Sequence, residues 1–137
     1  IFLTFSTGLP HYRTGSQKGG SIETFSPIAD YTKADIYEIF HITDEILEGH
    51  YQNLLQGKSV VLFFPESSIR KGHFEKGIAL FGGQPILFPS SALDKKEDLQ
   101  DVIGYLNNWA NLLVVRHRDM AALEKIAASA SVPVINA

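Results

Sequence analysis

Four short and continuous apolar runs constrain the fold of this chain more than any other feature. They lie at residues 59–64, 84–88, 111–116 and 132–136. An amphipathic surface strand would alternate apolar and polar residues, whereas a continuous run of this length is typical of a strand buried on both faces. The sequence therefore predicts four strands of a parallel sheet that is covered on both faces.

Segments with apolar residues at helical spacing separate these runs, at 73–81, 97–109 and 119–130. Strand and helix in regular alternation predict right-handed βαβ units. The expected fold class is α/β, with a parallel four-stranded sheet and helices on both faces. Pro85 and Pro133 have no N–H to donate, so we expect them at strand starts or on edge strands.

A further helix is expected before the first strand. Thr32 is a candidate N-cap, and Asp35 is placed to stabilise the first helical turn. Apolar residues then recur at helical spacing from Ile36 to Leu55, and Gly57 is the expected stop.

The length of 137 residues allows one domain with a core and leaves no room for a second full domain. Residues 14–21 are rich in glycine and serine, which favours a flexible loop. We therefore expect a poorly defined N-terminal arm over residues 1–30 and a folded domain over residues 31–137.

Composition excludes several classes of function. The net charge of −3 leaves no basic surplus for a nucleic acid, and no apolar run approaches the ~20 residues that span a bilayer. The chain has no cysteine, so thiolate metal sites and thiol nucleophiles are excluded, and a reducing, cytoplasmic location is expected. The histidines lack metal-ligand spacing, and neither a Gly-x-Ser-x-Gly elbow nor a Gly-x-Gly-x-x-Gly fingerprint follows a strand.

The segment after the first strand carries the most suggestive polar residues. In parallel sheets, ligands bind beyond the carboxyl ends of the strands. Here Ser67, Ser68, Arg70 and Lys71 lie where a helix is expected to begin. Hydroxyls, cations and free helix N–H groups together favour a phosphate or carboxylate site. The alternative is that a serine caps the helix and the cations are solvated.

Arg116 directly follows the third apolar run. A buried strand that ends in a charge requires a partner, which is either a carboxylate of the fold or an anionic ligand. Arg118 is expected at the surface, and His117 as a hydrogen-bonded structural residue. The loop after the second strand, residues 89–97, is by itself most simply a solvated loop with a serine or aspartate cap.

Four segments of the chain, in order and at matching spacing, resemble the aspartate/ornithine carbamoyltransferase family. They are Phe63–Gly83, Lys95–Asp101, Val114–His117 and Val132–Ala137. The first is similar to the carbamoyl-phosphate motif, and the second and third are more similar to the aspartate branch than to the ornithine branch. The resemblance covers about residues 30–137 and implies the N-terminal carbamoyl-phosphate-binding domain.

The resemblance implies transfer of a carbamoyl group from carbamoyl phosphate to the amine of an amino acid, with aspartate favoured over ornithine. It implies no metal and no organic cofactor. It also implies a homotrimer with shared sites. The phosphate contacts that the resemblance implies are Ser67, Ser68, Ile69, Arg70 and Arg116, with Ile69 in the turn that offers backbone N–H groups. Arg70 and Arg116 are the implied catalytic residues. Ser91 and Lys95 are implied to enter the neighbouring subunit's site.

The motif itself departs from the family at Ser68–Gly72. Aligned from the left, Arg70 takes the place of the first arginine of the motif; aligned from the right, Ile69 falls there instead. We prefer the left-hand alignment because an isoleucine side chain cannot bind phosphate. In either alignment Lys71 and Gly72 replace a threonine and an arginine, which leaves a non-catalytic regulatory or assembly module as the alternative function.

The family's next motif and its amino-acid-binding domain would follow Ala137, so the resemblance implies that this chain is inactive by itself. An unrelated α/β binding domain of the response-regulator kind is a third possibility. That function requires an acidic cluster at the strand ends, for which Glu66 and Asp119 are poor candidates.

Overall fold

The computed structural model describes residues 31–94 and 98–137. The arm predicted for residues 1–30, and Lys95, lie outside this described part. Its helices are α1 (Lys33–Leu47), α2 (Arg70–Leu80), α3 (Leu99–Leu106) and α4 (Met120–Ser129), with a short 3-10 helix over Ser90–Asp94; its strands are β1 (Ser59–Phe64), β2 (Gln84–Pro89), β3 (Leu112–Val115) and β4 (Val134–Asn136).

All four strands are parallel and form one sheet in the order β2-β1-β3-β4. The continuous apolar runs therefore do form the strands of a parallel sheet. Helix α2 packs on one face of the sheet, and helices α3 and α4 pack on the other. The predicted α/β fold, a parallel four-stranded sheet with helices on both faces, is confirmed.

The two faces of the sheet bury two separate apolar clusters because successive side chains of a strand point in opposite directions. On the α2 face, Leu62 and Phe64 of β1 pack with Ile78. On the face that α3 and α4 cover, Phe63 packs with Ile103, which is fully buried. Strands β1 and β3 are buried on both sides, as a continuous apolar sequence requires.

Prolines protect the outer edge of β2. The Gln84 N–H donates to the Lys58 carbonyl at 2.8 Å, so alternation turns the nitrogens of Pro85 and Pro89 away from β1. Neither proline removes a hydrogen bond of the sheet, and both leave fewer donors for a foreign strand. Pro133 directly precedes β4, the other edge strand. Both predicted proline positions are confirmed.

The predicted start of α1 is confirmed by its cap. The Thr32 hydroxyl accepts from the Asp35 N–H, and the Asp35 carboxylate accepts from the Thr32 N–H at 2.8 Å and from its hydroxyl at 2.7 Å. This reciprocal arrangement satisfies backbone donors that the first turn of a helix would otherwise leave free.

The predicted end of α1 at Gly57 is wrong, since the helix ends at Leu47. Gly49, Tyr51 and Asn53 all have positive φ, at 90°, 59° and 62°. Such a backbone cannot continue a right-handed helix, so the chain turns repeatedly between α1 and β1. The apolar spacing continues through this segment although the helix does not.

Gly83 lies where a side chain would collide with the α2-face cluster. A β-carbon there would lie 2.8 Å from the Leu55 β-carbon and 2.9 Å from the Ile78 γ2-carbon. We expect Gly83→Ala to lower the free energy of unfolding by about 1–3 kcal/mol in urea denaturation. Gly77→Ala is the control, since nothing lies within 4 Å of a β-carbon there and alanine favours a helix interior. Equal stability of the two variants would contradict this packing.

The cap of α1 also predicts a pH effect. The Thr32 hydroxyl and N–H lower the pKa of Asp35 below its ordinary value of 3.8. The carboxylate is therefore favoured by folding, and its contribution is present above the ordinary pKa and lost as pH falls through the lower, folded one. Thr32→Ala should raise the Asp35 pKa in an NMR titration, whereas Thr43→Ala, which removes a hydroxyl bonded to the Ile39 carbonyl, should not. An unchanged pKa in Thr32→Ala would contradict the cap.

Candidate anion-binding site at the carboxyl ends of the central strands

The strand order reverses direction at β1. From β1 the chain moves outward to β2 and then returns across β1 to β3. Such a reversal opens a crevice between the two strand ends, where ligands of open α/β sheets bind. The Arg116 N–H donates to the Phe63 carbonyl at 2.8 Å, so the segments that follow β1 and β3 leave the sheet side by side at this crevice.

Helix α2 begins at this crevice with an uncapped N-terminus. It starts at Arg70, three residues before the start at His73 that apolar spacing predicts, and its N-cap Ile69 makes no side-chain cap bond. Capping by Ser67 or Ser68, the simpler interpretation of these serines, is therefore wrong. The Gly72 N–H donates to the Ile69 carbonyl at 3.2 Å, whereas the N–H groups of Arg70 and Lys71 have no acceptor among the described residues. These two free donors lie at the positive end of the helix dipole.

The cations at the crevice have no carboxylate partner among the described residues. Both ion pairs in that part of the chain belong to histidines, and neither includes Arg70, which is exposed, or Arg116, which is half-buried. The hydroxyls of Ser67 and Ser68 also bond to no described residue. Unpaired donors, one of them on a half-buried arginine, are the arrangement that an anion would satisfy.

Arg116 and the α2 N-terminus lie on the same side of the sheet. Val114 and Phe64 belong to the cluster beneath α2. Arg116 follows Val114 by two positions and continues the β3 hydrogen bonding, so alternation directs it to the same face. The positive helix end and the arginine therefore converge from neighbouring strand ends.

Two other residues of the loop have structural explanations. The Lys71 ammonium donates to the Glu66 carbonyl at 2.8 Å and so closes the loop between β1 and α2. The Ile69 side chain is 85% exposed, and only its backbone N–H can contribute to anion binding. The site thus offers positive charge and N–H donors, which bind and polarise an anion and place no nucleophile against it.

Ser91 is exposed in the 3-10 helix that follows the edge strand β2, and its side chain makes no hydrogen bond with another described residue. Lys95, the other residue expected to enter a neighbouring site, lies outside the described residues.

His117 has a partner that the sequence did not reveal. Its Nε2 lies 2.9 Å from the Asp94 Oδ1, and its Nδ1 accepts from the Asp119 N–H at 3.1 Å. The prediction of a hydrogen-bonded structural histidine is confirmed. Asp94 is 23 residues away in sequence, and no spacing rule connects an aspartate after β2 with a histidine after β3.

The described residues contain no group of three or more histidine, aspartate or glutamate side chains that could hold a metal ion. The Asp119 carboxylate caps α4 by accepting from the Ala121 N–H at 2.9 Å. Glu66 is exposed in the loop after β1. In the same part of the chain, no helix has the length and apolar character needed to cross a membrane.

Residues 23–137 match the family described as aspartate/ornithine carbamoyltransferase, carbamoyl-P binding domain. The chain is 35% identical over 115 residues to the aspartate carbamoyltransferase catalytic subunit of Clostridium perfringens, which covers 80% of this chain and 38% of that protein. It is 32% identical over 118 residues to the ornithine carbamoyltransferase of Shewanella oneidensis, with coverage of 82% and 39%. The chain thus spans about two fifths of the length of these relatives.

Solved structures of carbamoyltransferases are also similar to this chain. The aspartate transcarbamoylase of Trypanosoma cruzi, in complex with carbamoyl aspartate and phosphate, superposes with a TM-score of 0.66 at 31% identity, covering 87% of this chain and 40% of that one. The ornithine carbamoyltransferase of Thermus thermophilus gives a TM-score of 0.70 at 21% identity, covering 79% and 39%. The second likeness concerns the fold alone.

The two alignments of the loop predict different effects of substitutions on phosphate binding. We expect inorganic phosphate to raise the melting temperature of the chain, because a ligand that binds only the folded state stabilises it. Arg70→Ala should reduce this shift, and Ile69→Ala, which keeps the backbone N–H, should preserve it. Differential scanning fluorimetry over a phosphate series measures both. An undiminished shift in Arg70→Ala would support the right-hand alignment instead.

Proposed function

This chain belongs to the aspartate/ornithine carbamoyltransferase family, and on that premise we propose that it binds carbamoyl phosphate at the carboxyl ends of β1 and β3. One observation carries the proposal: Arg116 and the uncapped start of α2 lie on one side of the sheet, and neither Arg116 nor Arg70 has a carboxylate partner in the described part. A phosphate supplies the charge and the acceptor oxygens that these donors lack.

Each residue has a distinct role in this proposal. The phosphate accepts hydrogen bonds from the hydroxyls of Ser67 and Ser68, from the Ile69 N–H and from Arg70. Arg116 contacts both the phosphate and the carbamoyl oxygen. During transfer the amine of the acceptor attacks the carbamoyl carbon and the bond to the phosphate oxygen breaks. Arg116 then stabilises the developing oxyanion, and the helix end stabilises the departing phosphate.

We infer aspartate as the acceptor rather than ornithine. Support comes from the Arg116–His117 pair of the sequence and from Lys95, which are more similar to the aspartate branch. Relatives of both kinds match, at 35% and 32% identity, so the preference rests on these residues alone. Since the relatives are more than twice as long, we propose that acceptor binding requires their second domain, and that this chain alone does not transfer the carbamoyl group.

We also propose that sites are shared between subunits of a homotrimer, with Ser91 and Lys95 entering the neighbouring site. Ser91 supports this proposal because it is exposed, and because the turn that carries it follows an edge strand. A cytoplasmic location stays a prediction from the cysteine-free composition.

Calorimetric titration with carbamoyl phosphate tests the binding proposal. We expect Arg116→Ala to weaken binding by about tenfold to a hundredfold, the range of one charged hydrogen bond. Arg118→Ala is the matched control, since it removes an exposed arginine two positions away and should leave the affinity unchanged. An equal loss of affinity in both variants would show that the effect comes from net charge and not from a contact of Arg116. No binding of carbamoyl phosphate or phosphate to the unaltered chain would favour a non-catalytic regulatory or assembly module.

A further inference from the structure

We propose that His117 and Asp94 are positioning residues that hold the Arg116 segment in place across the carboxyl end of β1. The proposal rests on the proposed function, because Arg116 is the residue whose placement the pair would fix. It adds two side chains to the site that need not touch the ligand. Its basis is a hydrogen bond between the ends of two strands that are not neighbours in the sheet.

The bond joins segments that the sheet itself keeps apart. Asp94 ends the 3-10 helix after β2, and His117 follows β3. Strand β1 lies between β2 and β3, so the 2.9 Å contact from His117 Nε2 to Asp94 Oδ1 passes over the end of β1. Leu93, beside Asp94, packs with Phe63 and Val115 in the cluster beneath α3 and α4, which anchors the 3-10 helix there.

The Asp119 backbone contacts Nδ1 through its N–H at 3.1 Å and through its carbonyl oxygen at 3.3 Å. In the tautomer in which Nδ1 accepts from the N–H, the ring proton lies on Nε2 and is donated to Asp94. Asp119 in turn caps α4. One side chain thus connects the end of β3, the start of α4 and the turn after β2.

This connection controls Arg116 through the backbone. Successive residues at the end of β3 point to opposite faces, so His117 is held on the α3–α4 side while Arg116 points to the α2 side. The Arg116 N–H bond to Phe63 at 2.8 Å fixes the segment at one point, and the ring fixes it one residue later. With both points fixed, the arginine side chain starts from a defined position and direction.

The direction of the hydrogen bond matters more than the charge of Asp94. The His117 side chain is 9% exposed, whereas the Asp94 side chain is 63% exposed, so water screens the ionic part of the contact. An Nε2–H that loses its acceptor has little access to solvent and would turn to find another partner. Asn in place of Asp94 keeps an acceptor oxygen, and it should therefore preserve the position of the ring.

Phosphate binding to Asp94 variants tests the proposal, with inorganic phosphate as the probe and calorimetry well below the melting temperature. We expect Asp94→Ala to weaken the affinity by about tenfold, an effect typical of a small displacement of a binding group. Asp94→Asn should retain the affinity of the unaltered chain. Glu124→Ala, which removes an exposed acid of α4, is the control for net charge. A purely structural role would lower the melting temperature in Asp94→Ala and leave the affinity of the folded chain unchanged, which would overturn the proposal.

Hydrogen exchange separates this proposal from the function on which it rests. In Asp94→Ala the Arg116 amide should exchange faster relative to the Leu113 amide, whereas Asp94→Asn should keep the ratio of the unaltered chain. If the unaltered chain binds no phosphate, the proposed function fails, and the exchange ratio still decides whether the pair holds Arg116. An unchanged ratio in Asp94→Ala would overturn the positioning role whether or not phosphate binds.

Discussion

The two-sided pairing of β1 is the constraint on which the rest of the structure depends. Its residues pair with β2 on one side and β3 on the other, and Val60 to Phe64 are all buried. A strand in this position needs apolar side chains on both faces, so helices must cover both. Because the chain leaves β1 in one direction and returns in the other, the crevice at its carboxyl end is a consequence of the same pairing.

The candidate site lies in this crevice, where several polar groups have no partner among the described residues. An uncapped helix and a half-buried arginine without a described ion-pair partner each cost folding free energy. A bound phosphate would recover that cost at both groups together. Lys71 holds the loop closed through the Glu66 carbonyl, so the replacement of the family's threonine and arginine leaves a loop that is still bridged. This loop is compatible with the proposed phosphate site.

The sequence predicted the sheet well because a strand that is buried on both faces consists of a continuous run of apolar residues. It predicted the start of α1 at Thr32 for a similar reason, since a cap is a local interaction. The end of α1 was predicted wrongly because Leu55 continues the helical spacing of apolar residues although it lies outside the helix. Turns after α1 bring Leu55 into the cluster on the α2 face, and these turns are the reason that it is buried. The contact of His117 with Asp94 could not be predicted either, because it depends on the strand order and on no pattern within a segment.

Mapping of backbone amides by NMR during a carbamoyl phosphate titration would locate the phosphate relative to the ends of β1 and β3. We predict that the largest shifts fall on the amides from Ser67 to Gly72 and on Arg116, with the amides of β4 and of the α1 N-terminus unchanged. Saturable shifts centred away from both strand ends, with Ser67 to Gly72 unaffected, would contradict it.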